Sequence, residues 1–419
     1  MCGILACGTM ACCAGCSCCG SIIKKSTGTR VIYVIFFLLV SVISYILSAF
    51  ASQWFASVDV LKICSKYDNE CFGSLVVYRL TFSLAIYHIL LGLALIGVKS
   101  SEDSRAAIQD GYWPVKIFFL AGLSFASFFI PNTFFVYYGW ISLFGAALFI
   151  LIQLILLIEF AYGINEIWVS KIEDEGHLTN RYYIMLLGST IATICIALAL
   201  TITMLVLWSK TSINQFFIVF NLGLSLIIGV LSINEKIREF RPSSGLFQSG
   251  VVMLYSAYLV FSAIMSEPSM DNNSNSGKQK TWTIIIGSMF TIISVCYSAF
   301  RASDSNEILG SSSGGGFDKL PTVASDDEAA DDKMEDDESG GVAYNYTFFH
   351  ITFALGAMYI GMLLTNWATI SGTSGSNGDL NVDSGMVSVW VKIVSGWLVH
   401  LLYLWTLVAP VLMPNREWD

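Results

Sequence analysis

Ten separate apolar stretches run through this 419-residue chain and leave little polar length between them. A stretch of about 18 or more apolar residues can cross the roughly 30 Å hydrocarbon layer as a helix, and in lipid only helices or closed barrels satisfy every backbone polar group. The chain is therefore expected to be all-α, a polytopic membrane protein. Its composition agrees. With 55% hydrophobic residues, 13% charged residues and a mean hydropathy of +0.67, it lacks the polar side chains that would coat a water-soluble domain.

The expected spans are Val31 to Ala51, Val76 to Val98, Pro114 to Ile130, Phe134 to Phe160, Tyr182 to Trp208, Phe216 to Ile233, Val251 to Met265, Trp282 to Phe300, Tyr346 to Trp367 and Val387 to Pro410. The fourth, at 27 residues, is about 40 Å long at 1.5 Å per residue, so it is expected to tilt steeply or to end in an interfacial extension. The first follows Lys24, Lys25 and Arg30, and its apolar core exceeds the roughly 7 to 15 residues of a cleaved signal peptide. It reads as a retained anchor. Residues 1–30 form a Cys-rich segment before it, spans one to eight cover 31–300, an acidic loop covers 301–344, spans nine and ten cover 345–410, and a tail ends the chain at 411–419.

An even number of spans places both termini on one side. With the N-terminus inside, the loops and tails of that side hold 15 Lys and Arg, against Lys62, Lys66, Lys210, Lys278 and Lys280 on the other, so both termini are expected in the cytosol. Asn272, in Asn272-Asn273-Ser274, is a glycosylation sequon on the expected outer side. Cys64 and Cys71 lie together in the first outer loop, where oxidation is permitted; a disulfide between them and two free thiols are both compatible with their spacing.

The net charge of -9 is local. Nine of the 31 acidic residues fall between Asp326 and Glu338, within a Ser-, Gly- and Asp-rich loop too poor in apolar residues to bury a core. That loop reads as a disordered linker or as bait for basic or adaptor-type sorting partners. No basic face suggests nucleic acid as a partner.

Seven of the eleven cysteines precede the first span. Cys12, Cys13, Cys16, Cys18 and Cys19 are candidate palmitate acceptors. Cys13-x2-Cys16 and Cys16-x2-Cys19 have zinc-like spacing without a nearby histidine, and simple packing of small residues is the third reading. No metal or cofactor is expected.

Ionisable groups inside spans are costly and mark candidate lipid or ion paths. Arg79 and Lys392 are expected near the outer leaflet, meeting an anionic head group or snorkelling to the interface. His88, His350 and His400 lie deeper, as helix contacts or as relay groups, and Asn366 joins them as a candidate lipid contact. Thr201 and Thr203 could add to a polar row. Ser225 and Gly229 form a small-residue pair of the kind that supports oligomers. There is no Gly-x-Ser-x-Gly elbow, no His-Glu-x-x-His and no phosphate-cradling glycine loop. An intrinsic enzyme is not expected.

The run ending Cys18-Cys19-Gly20-Ser21, Val77-Tyr78-Arg79, Tyr344 to His350, Leu364-Thr365-Asn366-Trp367, Val389-Trp390-Val391-Lys392 and Leu402 to Pro410 resemble the Serinc (serine incorporator) family from end to end. The resemblance implies ten helices in two bundles joined by a long diagonal helix. It also implies a role in raising serine incorporation into phosphatidylserine and sphingolipids, with membrane lipids, serine and lipid-synthesis enzymes as partners, in the endoplasmic reticulum, plasma membrane or endomembranes. Phospholipid scrambling between leaflets and interference with enveloped viruses are implied for some relatives. One departure is the start: Met1-Cys2-Gly3 lacks the Met-Gly opening of a myristoyl signal.

Overall fold

The computed structural model describes residues 25–50, 69–100, 103–175, 181–240, 245–267, 276–301, 342, 344–367, 369–372, 380–383 and 386–413. The candidate palmitoylated cysteines, Cys64, Asn272 and the acidic run lie outside these residues, and Cys71 contributes only its backbone.

Twelve helices and one hairpin make up the described chain: α1 (Lys25–Ala49), α2 (Asn69–Ala94), α3 (Ala106–Asp110), α4 (Trp113–Ser127), α5 (Asn132–Glu175), α6 (Arg181–Leu207), α7 (Ser212–Ser232), α8 (Glu235–Phe240), α9 (Leu246–Met265), α10 (Ser276–Arg301), α11 (Tyr346–Leu364), β1 (Thr369–Gly372), β2 (Leu380–Asp383) and α12 (Met386–Leu412). Nine of the described helices are long and apolar enough to cross a membrane. The third expected span is the exception. It is realised as α4, a helix of 15 residues, which is about 22 Å long and short of a full crossing by itself.

The fourth span was placed correctly but cut too short. α5 runs for 44 residues, about 66 Å, because the helix continues past Glu159 through the polar segment containing Asn165, Glu166, Lys171 and Glu173. Glu159 therefore lies inside the helix. The hairpin between α11 and α12 was not anticipated; its strands pair antiparallel with Thr369 opposite Asp383 and Gly372 opposite Leu380.

Packing sorts the helices. α1, α2, α4 and α11 pack on one another, and so do α6, α7, α9 and α12, while α5 and α10 touch members of both sets. β1 lies against α5 and β2 against α2, so the hairpin marks one end of the molecule. α6 presents Ile184, Ile191, Ile202 and Val206 outward, as expected where lipid is the solvent. α2, α9 and α11 are largely enclosed.

Lipid tails are as apolar as leucine, so helix association depends on close van der Waals contact. The α2–α11 seam shows this. A Cβ on Gly361 would sit 2.8 Å from Thr81 Oγ1 and 3.3 Å from Thr81 Cβ, and Thr81 Oγ1 is held by the carbonyl of Val77 at 2.8 Å. On the same helix a Cβ on Gly356 would meet the Phe149 ring at 3.1 Å and the Phe37 ring at 3.3 Å.

Local signals define the helix ends. The Asn345 side chain accepts from Phe348 N at 3.0 Å and caps α11, and the Thr211 hydroxyl caps α7 by accepting from Asn214 N. α11 stops in a Schellman turn: Asn366 N donates to Leu363 O and Trp367 N to Met362 O, with Asn366 at φ 52 and Trp367 at φ 61. Arg105 donates to Ile96 O at 2.9 Å just beyond α2, and pairs with Asp103 at 2.8 Å. The side-chain hydrogen bond from Arg105 holds the Asp103 carboxyl below its ordinary value, but the pair is solvent-exposed and contributes little to stability.

Replacing Gly361 with Val inserts a branched side chain where the seam has no room. The expected cost is about 1–3 kcal/mol, read as a lower melting temperature of the purified protein in detergent; an unchanged melting temperature would show that the seam relaxes freely.

Candidate functional site

Polar and charged side chains gather at three places within this apolar bundle. The first is Arg79 on α2, which is fully buried. Its guanidinium donates to the carbonyls of Ser127 and Ile130, the latter at 3.0 Å, and to Asn132 Oδ1 at 2.6 Å, and it lies 4.4 Å from the centroid of Phe135. Those acceptors are the end of α4, the following turn and the first residue of α5. Non-helical backbone at membrane depth survives only where protein groups satisfy it, and one side chain does so here. Arg79 neither snorkels nor faces lipid.

The second is Lys392 on α12, also buried. Its ammonium donates to Ser262 O at 2.9 Å and Ser266 Oγ at 2.6 Å, both at the end of α9, and lies 4.4 Å from the Trp367 ring centroid. Ser388 Oγ donates to Trp367 O at 2.7 Å, tying α12 to the end of α11. Lys392 is therefore turned inward as well. Asn366, on the neighbouring Schellman turn, is half-buried, and its Oδ1 has no hydrogen-bond partner.

The third lies towards the other end of α2. His88 Nδ1 and His350 Nδ1 are 2.9 Å apart, His350 Nε2 is 2.8 Å from Gln109 Oε1, and Gln109 Nε2 donates to Tyr344 OH at 2.7 Å. With the Gln109 amide so assigned, its oxygen can only accept, so His350 carries its proton on Nε2 and accepts on Nδ1. His88 must then donate from Nδ1, which leaves His88 Nε2 a buried lone pair without a partner. Lys116 Nζ donates to Gln109 O at 2.7 Å beneath Trp113, whose ring centroid is 3.9 Å away, and Tyr33 OH also reaches Gln109 O. Arg30 lies over the Tyr344 ring at 4.9 Å.

The six candidate lipid contacts thus separate. His88 and His350 form one pair; Lys392 lies against Trp367, which Asn366 precedes in the chain; Arg79 stands alone at its turn; and His400 hydrogen-bonds Gly396 O at 2.9 Å and Ser225 Oγ at 3.1 Å between α12 and α7. Ser225 is buried, and Gly229 is half-buried with a Cβ position 3.4 Å from Met253. Thr201 and Thr203 spend their hydroxyls on Ala197 O and Ala199 O of their own helix. Sequence reading missed Gln109 and Tyr344, which lie beside spans in stretches read as loop, and did not single out Lys116 within the expected span Pro114 to Ile130. Trp113 and Tyr33, aromatic partners able to cover an ammonium, were the available signal for Lys116.

The architecture defines a class: a polytopic α-helical membrane protein whose internal cations are held by neutral oxygens and aromatic rings. Residues 4–416 match the family described as Serine incorporator (Serinc), and the chain belongs to that family. It is 61% identical over 409 residues to a "Probable serine incorporator" of Dictyostelium discoideum, covering 95% of this chain and 96% of that protein. It is similar to a "Probable serine incorporator" of Nematostella vectensis (37% identity, 97% and 94% covered) and to "Serine incorporator 3" of Bos taurus (34% identity, 97% and 95% covered).

Each buried acceptor that loses its donor costs about 1–3 kcal/mol. Arg79→Leu removes the donor to the Ile130 carbonyl and the guanidinium bonds to Ser127 O and Asn132 Oδ1, so it should lower the melting temperature in detergent below that of the parent. Arg79→Lys keeps the charge but not the fork, and should fall between them. Equal melting of all three proteins would remove Arg79 from its structural role.

Proposed function

We propose that the protein promotes incorporation of serine into phosphatidylserine and sphingolipids without catalysing the chemistry itself, by carrying serine or by holding the synthesising enzymes close to it. The observation that carries this reading is the family match along residues 4–416, joined by relatives named serine incorporator that are covered over more than nine-tenths of their length. The internal placement of Lys392 supports it, because an ammonium without a carboxylate inside an apolar bundle costs stability and is kept where it serves a path or a ligand. Cytosolic termini and residence in the endoplasmic reticulum or other endomembranes belong to the same proposal.

Scrambling of phospholipids between leaflets is the second reading. It calls for polar groups facing the lipid, whereas Arg79 and Lys392 face inward and the hydroxyls of Thr201 and Thr203 are bonded to their own helix.

Membranes prepared with and without the protein and supplied with labelled serine separate the two. More label in phosphatidylserine and sphingolipids when the protein is present, with no exchange of dye-labelled lipid in protein-containing liposomes, supports serine supply. Equal labelling with fast lipid exchange overturns it in favour of scrambling.

A further inference from the structure

Around Lys392 three features meet that structural packing leaves unexplained. The ammonium has three N–H donors, and two are used, on Ser262 O and Ser266 Oγ. No carboxylate among the described residues lies within 4.0 Å of it; Glu267, next to Ser266, turns its carboxylate to Asn214 Nδ2 at 2.8 Å instead. The Trp367 indole N–H, on the ring that the ammonium overlies, is buried with no acceptor. The Asn366 amide oxygen, on the adjoining residue, has no donor.

The backbone that presents these groups is strained. Asn366 has the left-handed conformation that a Schellman cap uses, and Trp367 has it too, an outlier for a bulky aromatic. Such conformations persist where surrounding bonds over-determine them. Here Trp367 N donates to Met362 O at 2.7 Å and Trp367 O accepts from Ser388 at 2.7 Å, so the indole is fixed beside Lys392.

A cation with a spare donor and an unpaired indole N–H call for an anionic oxygen pair; the neighbouring acceptor calls for a donor on the same ligand. We propose that Lys392, Trp367 and Asn366 form a binding site for an α-amino-acid head group, its carboxylate taken by Lys392 and the Trp367 N–H and its ammonium or hydroxyl by Asn366. Free L-serine and the serine head group of a phospholipid share this chemistry. The half-buried Asn366 places the mouth of the site at the hairpin end. The identity of the ligand rests on the function proposed above; the convergence of unpaired groups does not.

The test uses the full chain in phosphatidylcholine nanodiscs, with radiolabelled L-serine as probe. Saturable binding is expected, weakened about tenfold or more in Lys392→Met and in Trp367→Phe, as loss of a charge-assisted or buried hydrogen bond implies. Lys392→Arg should retain more binding than Lys392→Met, and a cooperative melting transition shows that each variant is folded, that of Lys392→Met lying lower because Ser266 Oγ loses its donor. Displacement of label when phosphatidylserine is added to the disc identifies the lipid head group as a ligand; no displacement identifies free serine. Absence of both serine binding and discrimination between the two lipids overturns the site, as does parental binding in both Lys392→Met and Trp367→Phe, even where serine incorporation depends on the protein. Loss of binding in these variants with unaltered labelling of lipids overturns the function and leaves the site standing.

Discussion

The guanidinium of Arg79 holds the turn through which α4 passes the chain to α5 in the protein interior. α4 is too short to cross by itself, and the turn after it exposes carbonyls that a helix would have paired internally. The acceptors of Ser127, Ile130 and Asn132 are met within the protein by that guanidinium. Three directed donors on a planar fork fit this task better than a single ammonium. The start of α5 is fixed by the same side chain, and with it the helix against which both packing sets rest.

The same constraint explains the other polar groups. Lys392 closes α12 onto the end of α9, the histidines tie α2 to α11 through Gln109, and His400 joins α12 to α7. Each links elements distant in sequence, which non-directional apolar contacts do poorly in lipid. Lys392 is set apart by what adjoins it: Trp367, against whose ring it lies, and the preceding Asn366 each carry a buried polar atom without a partner.

Much of this fold is legible from hydropathy alone. Expected Tyr182 to Trp208 is found as Arg181–Leu207, and expected Tyr346 to Trp367 as Tyr346–Leu364 with its Schellman turn, because a long apolar run in lipid has no alternative to helix. α5 was underestimated, since hydropathy stops where polar residues begin and helical geometry does not. α4 was overestimated for the opposite reason: Phe128, Phe129 and Ile130 are apolar enough to extend a span, yet they form a turn whose support comes from a residue some fifty positions away. The site was legible only as residue types. Arg79, His88, His350, Asn366, Lys392 and His400 stand out as polar groups within apolar runs, but their inward direction depends on three-dimensional partners such as Gln109, Ser266 and Trp367, which no local pattern selects.

α5 also has a mechanical meaning. A helix of about 66 Å resists bending over that length, so it behaves as a beam shared by two sets of helices. A rotation of about 5° around its midpoint would carry its ends roughly 3 Å in opposite directions. One end is pinned by Arg79 and the hairpin, and the other extends through the charged segment beyond Glu159. A push on that distal segment therefore loads the packing of α5 against both helix sets before it reaches the pinned end beside the first strand of the hairpin.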